Sequence, residues 1–361
     1  METDVWTVKR ILDWIETYLQ EHGDAHARLS AQWLVSEALH ISRVQLFMDA
    51  ERPLTLEERA VLRDYTRRRA LGEPLQYITG TTDFRFATIK LARGVLIPRP
   101  ETEVLVSEAL AELDALREVK RQRRLQAMLA ETSFEDEAAA GTGLKSGAHD
   151  VSDSGDNNRG DGEDYGKGSG EDSDSSIEYV AEVSESAPKD LRVLDLCTGS
   201  GCIAVSIATE VPHSYVLAAD IDPKCVELTK INVQDSGVDT RVDVYLSDLG
   251  EDIPFDESSP FDLLISNPPY IPTKILGDLD KEVTEFESSL ALDGGEDGLD
   301  IFRRILPYAW RVLAHDGVLA LELHETCLGQ AAQEAQDYGF EHVRIANDLA
   351  GRPRVLIARK G

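Results

Sequence analysis

Four consecutive residues, Asn267-Pro268-Pro269-Tyr270, follow an apolar run, Phe261 to Ser266, that reads as a buried strand. Two adjacent prolines fix φ and remove two backbone donors, so no strand continues through them. An amide, rigid carbonyls and an aromatic ring therefore stand together at a strand end. Such a set suits a planar nitrogen nucleophile. The lone pair of an amide or exocyclic amine is delocalised, so removing a proton first gains little. Two acceptors on the NH2 group instead hold the nitrogen in line and stabilise the positive charge that develops on it. The side-chain oxygen of Asn267 can be one acceptor and the carbonyl of Pro268 the other. Pro269 keeps that carbonyl still, and Tyr270 can stack on the planar group.

A second cluster begins at Asp195. The run DLCTGSGCIA places Gly199, Gly201 and Ala204 in G-x-G-x-x-A spacing, and Asp220 follows Gly201 by nineteen residues. Small residues between a strand and a helix let the backbone approach a ligand, and a carboxylate ending the next strand can accept from ribose hydroxyls. That pattern fits a nicotinamide dinucleotide and S-adenosylmethionine alike. Asn267 to Tyr270 decides between them, because a held nitrogen nucleophile calls for a methyl sulfonium.

The elements that must position these groups alternate after residue 190. RVLDLCTG, YVLAADID, VDVYLSD, FDLLIS, GVLALEL, HVRIAND and RPRVLIAR read as strands, with amphipathic helices between most of them. Continuous apolar strands separated by helices predict a mostly parallel sheet covered on both faces, with ligands beyond the carboxyl ends of the strands. Residues 4–72 read instead as a helical bundle, from apolar residues at three- and four-residue spacing; Leu29, Trp33, Leu34 and Ala38 form one expected stripe. Between the two, Gly and Pro punctuate short β-type runs that predict a hairpin, and Pro100, Glu101 and Glu103 open a helix.

The 361 residues carry a net charge of −30, much of it in one place. Glu131 to Asp190 hold 17 acidic and 4 basic residues in a stretch rich in Gly and Ser. Too few apolar groups are available there to offset the ordering entropy, so the reading is a disordered insert. The remainder is acidic too, which argues against a grip on nucleic acid phosphates. Cys197, Cys202, Cys225 and Cys327 form no CxxC pair and no metal-ligand cluster, so no metal is expected. No run reaches the ~18 apolar residues of a membrane span, and the charged start METDVWTVKR lacks an apolar leader. A reduced, cytoplasmic protein is expected.

PLQYITG, VLIPRPETE, DLCTGSGCIA, SDL, SNPPYI, LALDGGEDGL and DLAGRPRVLIAR stand in the order found in the release factor glutamine N5-methyltransferases, which the chain resembles everywhere but in the acidic tract. NPPY also occurs in adenine N6-methyltransferases; RPETE and the helical start make the match specific. The resemblance implies an α/β fold, a seven-stranded Rossmann-like methyltransferase sheet with a reversed last strand, behind a small N-terminal helical domain. The implied organisation is a release-factor-binding domain (1–75), a hairpin linker and lead-in helix (76–130), the acidic insert (131–188) and the methyltransferase domain (189–361).

Implied roles follow the matching positions. Cys197, Thr198, Gly199, Ser200 and Gly201 lie beside the methionine part of S-adenosylmethionine, Asp220 binds its ribose, and Asp248 and Leu249 border its adenine. Asn267, Pro268, Pro269 and Tyr270 hold the substrate glutamine, with Asn267 also bordering the cofactor. Arg99, Pro100, Glu101 and Thr102 line the cofactor's amino-acid end. Cys197 stands where glycine is often found, Ser288 where proline is usual and His324 where glycine is common. The implied partner is a peptide chain release factor with its Gly-Gly-Gln loop, with no nucleic acid or membrane contact. A glutamine methyltransferase of ribosomal protein, an adenine methyltransferase and a non-catalytic scaffold are the alternatives; the last predicts a damaged cofactor loop, and Gly199, Gly201 and Asp220 are intact.

Overall fold

A computed structural model of the chain describes residues 5–140 and 191–361, apart from Asp280. It divides into a unit of residues 1–117 and 188–361 and a second unit of residues 118–187. The first unit opens with a helical bundle. In α1 (Val8–Glu21) the hydroxyl of Thr7 accepts from the Arg10 N–H, and Val8, Ile11, Ile15 and Leu19 make the buried stripe. α2 (Ala27–Leu39), α3 (Arg43–Met48), α4 (Leu56–Ala70) and α5 (Leu75–Thr79) close the same core with Leu34, Leu46, Leu62 and Ile78. Capping boxes at Ser42 and Thr55 start α3 and α4. The expected stripe of α2 is corrected: Ala27, Ala31, Leu34, Val35 and Leu39 face inward, while Leu29 is 43% exposed. Leu29 and Leu34 are five residues apart, about 140° round a helix, and cannot share one face.

The hairpin is β1 (Thr81–Phe84) against β2 (Ala87–Lys90). α6 (Pro100–Ala140) follows, with Leu105, Val106, Ala109, Leu113 and Leu116 buried. The backbone of α6 runs ten residues into the stretch expected to be disordered; the rest of that stretch, 141–188, lies outside the described residues.

The sheet strands are β3 (Leu191–Leu196), β4 (Ser214–Asp220), β5 (Val242–Leu246), β6 (Phe261–Ser266), β7 (Leu313–Glu322), β8 (Phe340–Asn347) and β9 (Pro353–Lys360). Their order is β5-β4-β3-β6-β7-β9-β8, with the first five parallel and β9 antiparallel to both its neighbours. The reversed last strand is therefore present. Side chains alternate between two cores: Val193, Val216, Leu263 and Val318 face α6, α7 (Cys202–Glu210) and α8 (Pro223–Asp235), while Leu194, Leu217, Leu264 and Leu319 face α10 (Asp300–Val312) and α11 (Leu328–Tyr338). A one-turn helix, α9 (Lys281–Thr284), sits in the long connection after β6. Burial on both faces explains why these strands read as continuous apolar runs.

Candidate active site

The chain order of the sheet reverses between β3 and β6. From β3 the strands proceed outward through β4 and β5, and from β6 through β7. The loops leaving β3 and β6 at their carboxyl ends cannot cover one another, and a crevice opens there. Leu196 pairs with Ser266, so Cys197 and Asn267 leave adjacent strands side by side. The hydroxyl of Ser266 donates to the Leu196 carbonyl at 2.6 Å and locks the two strand ends.

Cys197 has φ +57, Gly199 +60 and Gly201 +80. A Cβ on Gly199 would meet no protein atom within 4 Å, so the backbone there borders open space. A Cβ on Gly201 would lie 2.7 Å from Thr229, so this residue both turns the chain into α7 and admits α8. The positive φ at Cys197 accounts for the glycine common at that position. Burial pushes the thiols of Cys197, Cys202 and Cys225 upward, leaving them protonated and poor nucleophiles. Asp220 ends β4 with one carboxylate oxygen accepting from the Gly199 N–H and the other from the Asp222 N–H, each at 2.9 Å. Burial raises its pKa. Asp195, buried beneath the loop, accepts from the Thr198 hydroxyl at 2.6 Å and is pushed up to about 7 by burial.

These groups enclose a cavity of about 450 Å³, the size of a nucleoside cofactor site. Cys197, Thr198, Gly199, Ser200, Asp220, Asp248, Leu249, Asn267 and Pro269 line it, as does Thr102. Gly201, Pro268 and Tyr270 do not: Gly201 is turned against Thr229, Pro268 is buried, and the Tyr270 hydroxyl donates to Glu322 at 2.9 Å. Asp248 accepts from Arg304 of α10 at 2.8 Å, and both residues face the cavity. Ser288 caps the short turn Ser289–Ala291, its hydroxyl accepting from the Leu290 N–H, and this turn lines the cavity too. Of the RPETE residues only Thr102 reaches it; Arg99 pairs with buried Glu287 at 2.6 Å, and Glu101 with Arg352 at 3.4 Å. His324 bonds Thr326 through Nδ1 and is absent from the lining.

One residue beside this site went unnoticed in the sequence. Glu322 ends β7, is fully buried, and accepts from the hydroxyls of Thr102 at 2.8 Å and Tyr270 at 2.9 Å. Thr102 in turn accepts from the Asn267 side-chain NH2 at 3.1 Å. The available signal was a carboxylate inside the apolar run VLALEL, in a strand covered on both faces.

Known proteins resemble the chain along its length. The family model of the PrmC N-terminal domain matches residues 10–80, and that of the methyltransferase small domain matches residues 169–281. The chain is 34% identical to the release factor glutamine methyltransferase of Geobacter sulfurreducens, over 99% of this chain and 98% of that one. Identity to the protein of the same description from Rhodopirellula baltica is 29%, over 98% and 97%. The corresponding protein of Koribacter versatilis is likewise 29% identical, over 98% and 99%.

Proposed function

The chain belongs to the release factor glutamine methyltransferase family, and from that premise we propose that it methylates the side-chain amide nitrogen of the glutamine in the Gly-Gly-Gln loop of a peptide chain release factor. The observation that carries this is the shared cavity: the glycine loop, Asp220 and Asn267 border the same space at the switch point.

The lining fits S-adenosylmethionine. Open backbone at Gly199 gives its methionine end close approach, Asp220 keeps lone pairs for ribose hydroxyls beyond its two backbone bonds, and Asp248 and Leu249 border the adenine. When bound, it supplies a sulfonium methyl. Asn267, which lines the cavity, accepts one hydrogen of the substrate amide and aims its nitrogen at that methyl; the Pro268 carbonyl is the second acceptor on the motif alone, since Pro268 is absent from the lining. Transfer of that methyl would leave the amide nitrogen with one hydrogen too many, and this proton would pass to solvent water, since neither acceptor is a base. A general base is not required before the transfer, since the developing charge is met by the two acceptors.

The helical domain, residues 1–75, docks the body of the factor, and the sheet domain performs the chemistry. Among the described residues no helix is long and apolar enough to cross a membrane. A site of action in the cytoplasm and a protein rather than nucleic acid partner complete the proposal. Incubation with a release factor should add one methyl, on the Gly-Gly-Gln glutamine alone, by mass spectrometry of the digested factor. Asn267→Ala should slow turnover at least ~100-fold while leaving cofactor affinity near that of the wild type. A ribosomal protein or adenine methylated in its place would overturn the assignment.

A further inference from the structure

The groups behind Asn267 form a chain with a direction. Glu322, Thr102, Asn267 and Tyr270 come from β7, α6 and the segment after β6, and all four are linked by the bonds at 2.8, 3.1 and 2.9 Å. With Glu322 ionised, both hydroxyls that meet it donate, Thr102 to one carboxylate oxygen and Tyr270 to the other. Thr102 has a single hydroxyl hydrogen. Once it is committed to Glu322, the Thr102 oxygen can only accept, and its remaining partner in this chain is the Asn267 amide. That amide must then present its NH2 to Thr102 and its oxygen to the opposite side.

We infer that Glu322 is a positioning residue for methyl transfer: through Thr102 it sets which end of the Asn267 amide faces the cavity, and through Tyr270 it anchors the other end of the NPPY segment. This rests on the proposed reaction. A flipped Asn267 would offer the substrate amide a donor where an acceptor is required, placing two NH2 groups against each other. Nothing in the Asn267 side chain itself prevents that flip, because its two ends have nearly the same shape. The carboxylate two bonds away supplies the distinction. Burial raises the pKa of Glu322, while its two hydroxyl donors and the positive field of Arg354 oppose that rise and Glu101 adds to it.

The test separates polarity from packing. Glu322→Gln keeps the shape but can either donate to or accept from Thr102, so it loses the direction. Its kcat on a release factor should fall about ten- to hundredfold, as for displaced positioning groups, with S-adenosylmethionine affinity unchanged and a melting temperature no lower than wild type. Thr102→Val should show a similar fall in kcat, and Thr102→Ser, which keeps the hydroxyl, should restore most of it. The double variant Glu322→Gln/Thr102→Val should be no slower than the slower single one, since both remove the same constraint. Wild-type kcat in Glu322→Gln, a fall that follows a lowered melting temperature, no difference between Thr102→Ser and Thr102→Val, or multiplying losses would overturn the inference while leaving the glutamine reaction standing. A wild type that leaves the glutamine unmodified would overturn both.

Discussion

Asp195 in β3 and Glu322 at the end of β7 are buried carboxyl groups of one sheet, with β6 between their strands, and their surroundings give them different consequences. Asp195 has one oxygen bonded to Thr198 and the other without a partner, and its pKa rises from 3.8 to about 7. Its folded-state value lies above its unfolded one, so the folded chain holds this proton more tightly. The associated stability is fully present below about pH 4 and is lost as pH rises through about 7. Asp195→Asn keeps the shape and an acceptor for Thr198 but removes the ionisation. Between about pH 5 and 8 its melting temperature should fall less than that of the wild type; parallel curves would show that Asp195 does not titrate there. At this scale the site was legible wherever its groups are close in sequence. NPPY and the glycine loop carry their own backbone constraints, as the positive φ values of Gly199 and Gly201 bear out. The link from Thr102 to Glu322 spans 220 residues and has no local signature.

The elements were legible because period and burial agree: β6 occupies Phe261–Ser266, the run read as a strand, and helices α7 and α8 fall between strands as expected. What the patterns could not show is how elements are tied across the sheet. Asn232 of α8 is an example. Its side-chain oxygen accepts from the Lys90 N–H of β2 at 2.8 Å, and its NH2 donates to the carbonyls of Lys90 at 3.0 Å and Ser200 at 2.8 Å. One buried amide thus joins the hairpin to the glycine loop. Asn232→Ala would leave all three backbone groups without this partner. Each such group costs ~1–3 kcal/mol when left unmet, so a loss of at least ~2 kcal/mol is expected in denaturant unfolding. Cofactor affinity should fall with it, measured by calorimetry, because Ser200 lines the cavity. Unchanged values for both would mean that water or a local shift replaces the amide. Short elements were missed for a different reason: α3, α5 and the turn Ser289–Ala291 are too brief to display a period.

At the scale of the molecule, the helical domain touches the segment after NPPY through Arg69. This side chain, largely buried in the bundle, pairs with Asp24 at 2.8 Å and with Glu282 at 2.9 Å. Glu282 is 47% exposed, so its pair with Arg69 contributes only ~0–1 kcal/mol to stability. On the proposed reaction, this pair would orient a factor docked on the helical domain, which a flexible peptide does not need. Glu282→Gln should leave thermal unfolding nearly unchanged and lower kcat/KM on an intact release factor more than on a short Gly-Gly-Gln peptide. Equal effects on both would show that the contact does not transmit docking. The division into helices, hairpin and sheet was legible from composition and period; this bridge between them was not, since Arg69 lies in a run of three arginines that differ only in where they point. The reversed strand carries a consequence for how the protein is made. β9 lies between β7 and β8 but follows both in the chain, so during synthesis β8 has no partner strand, and β7 only β6, until residues 353–360 have left the ribosome. Until then β7 offers an unpaired backbone edge, and any product cut short before Pro353 keeps that edge open to other chains. Closure of this side of the sheet therefore waits on Pro353–Lys360.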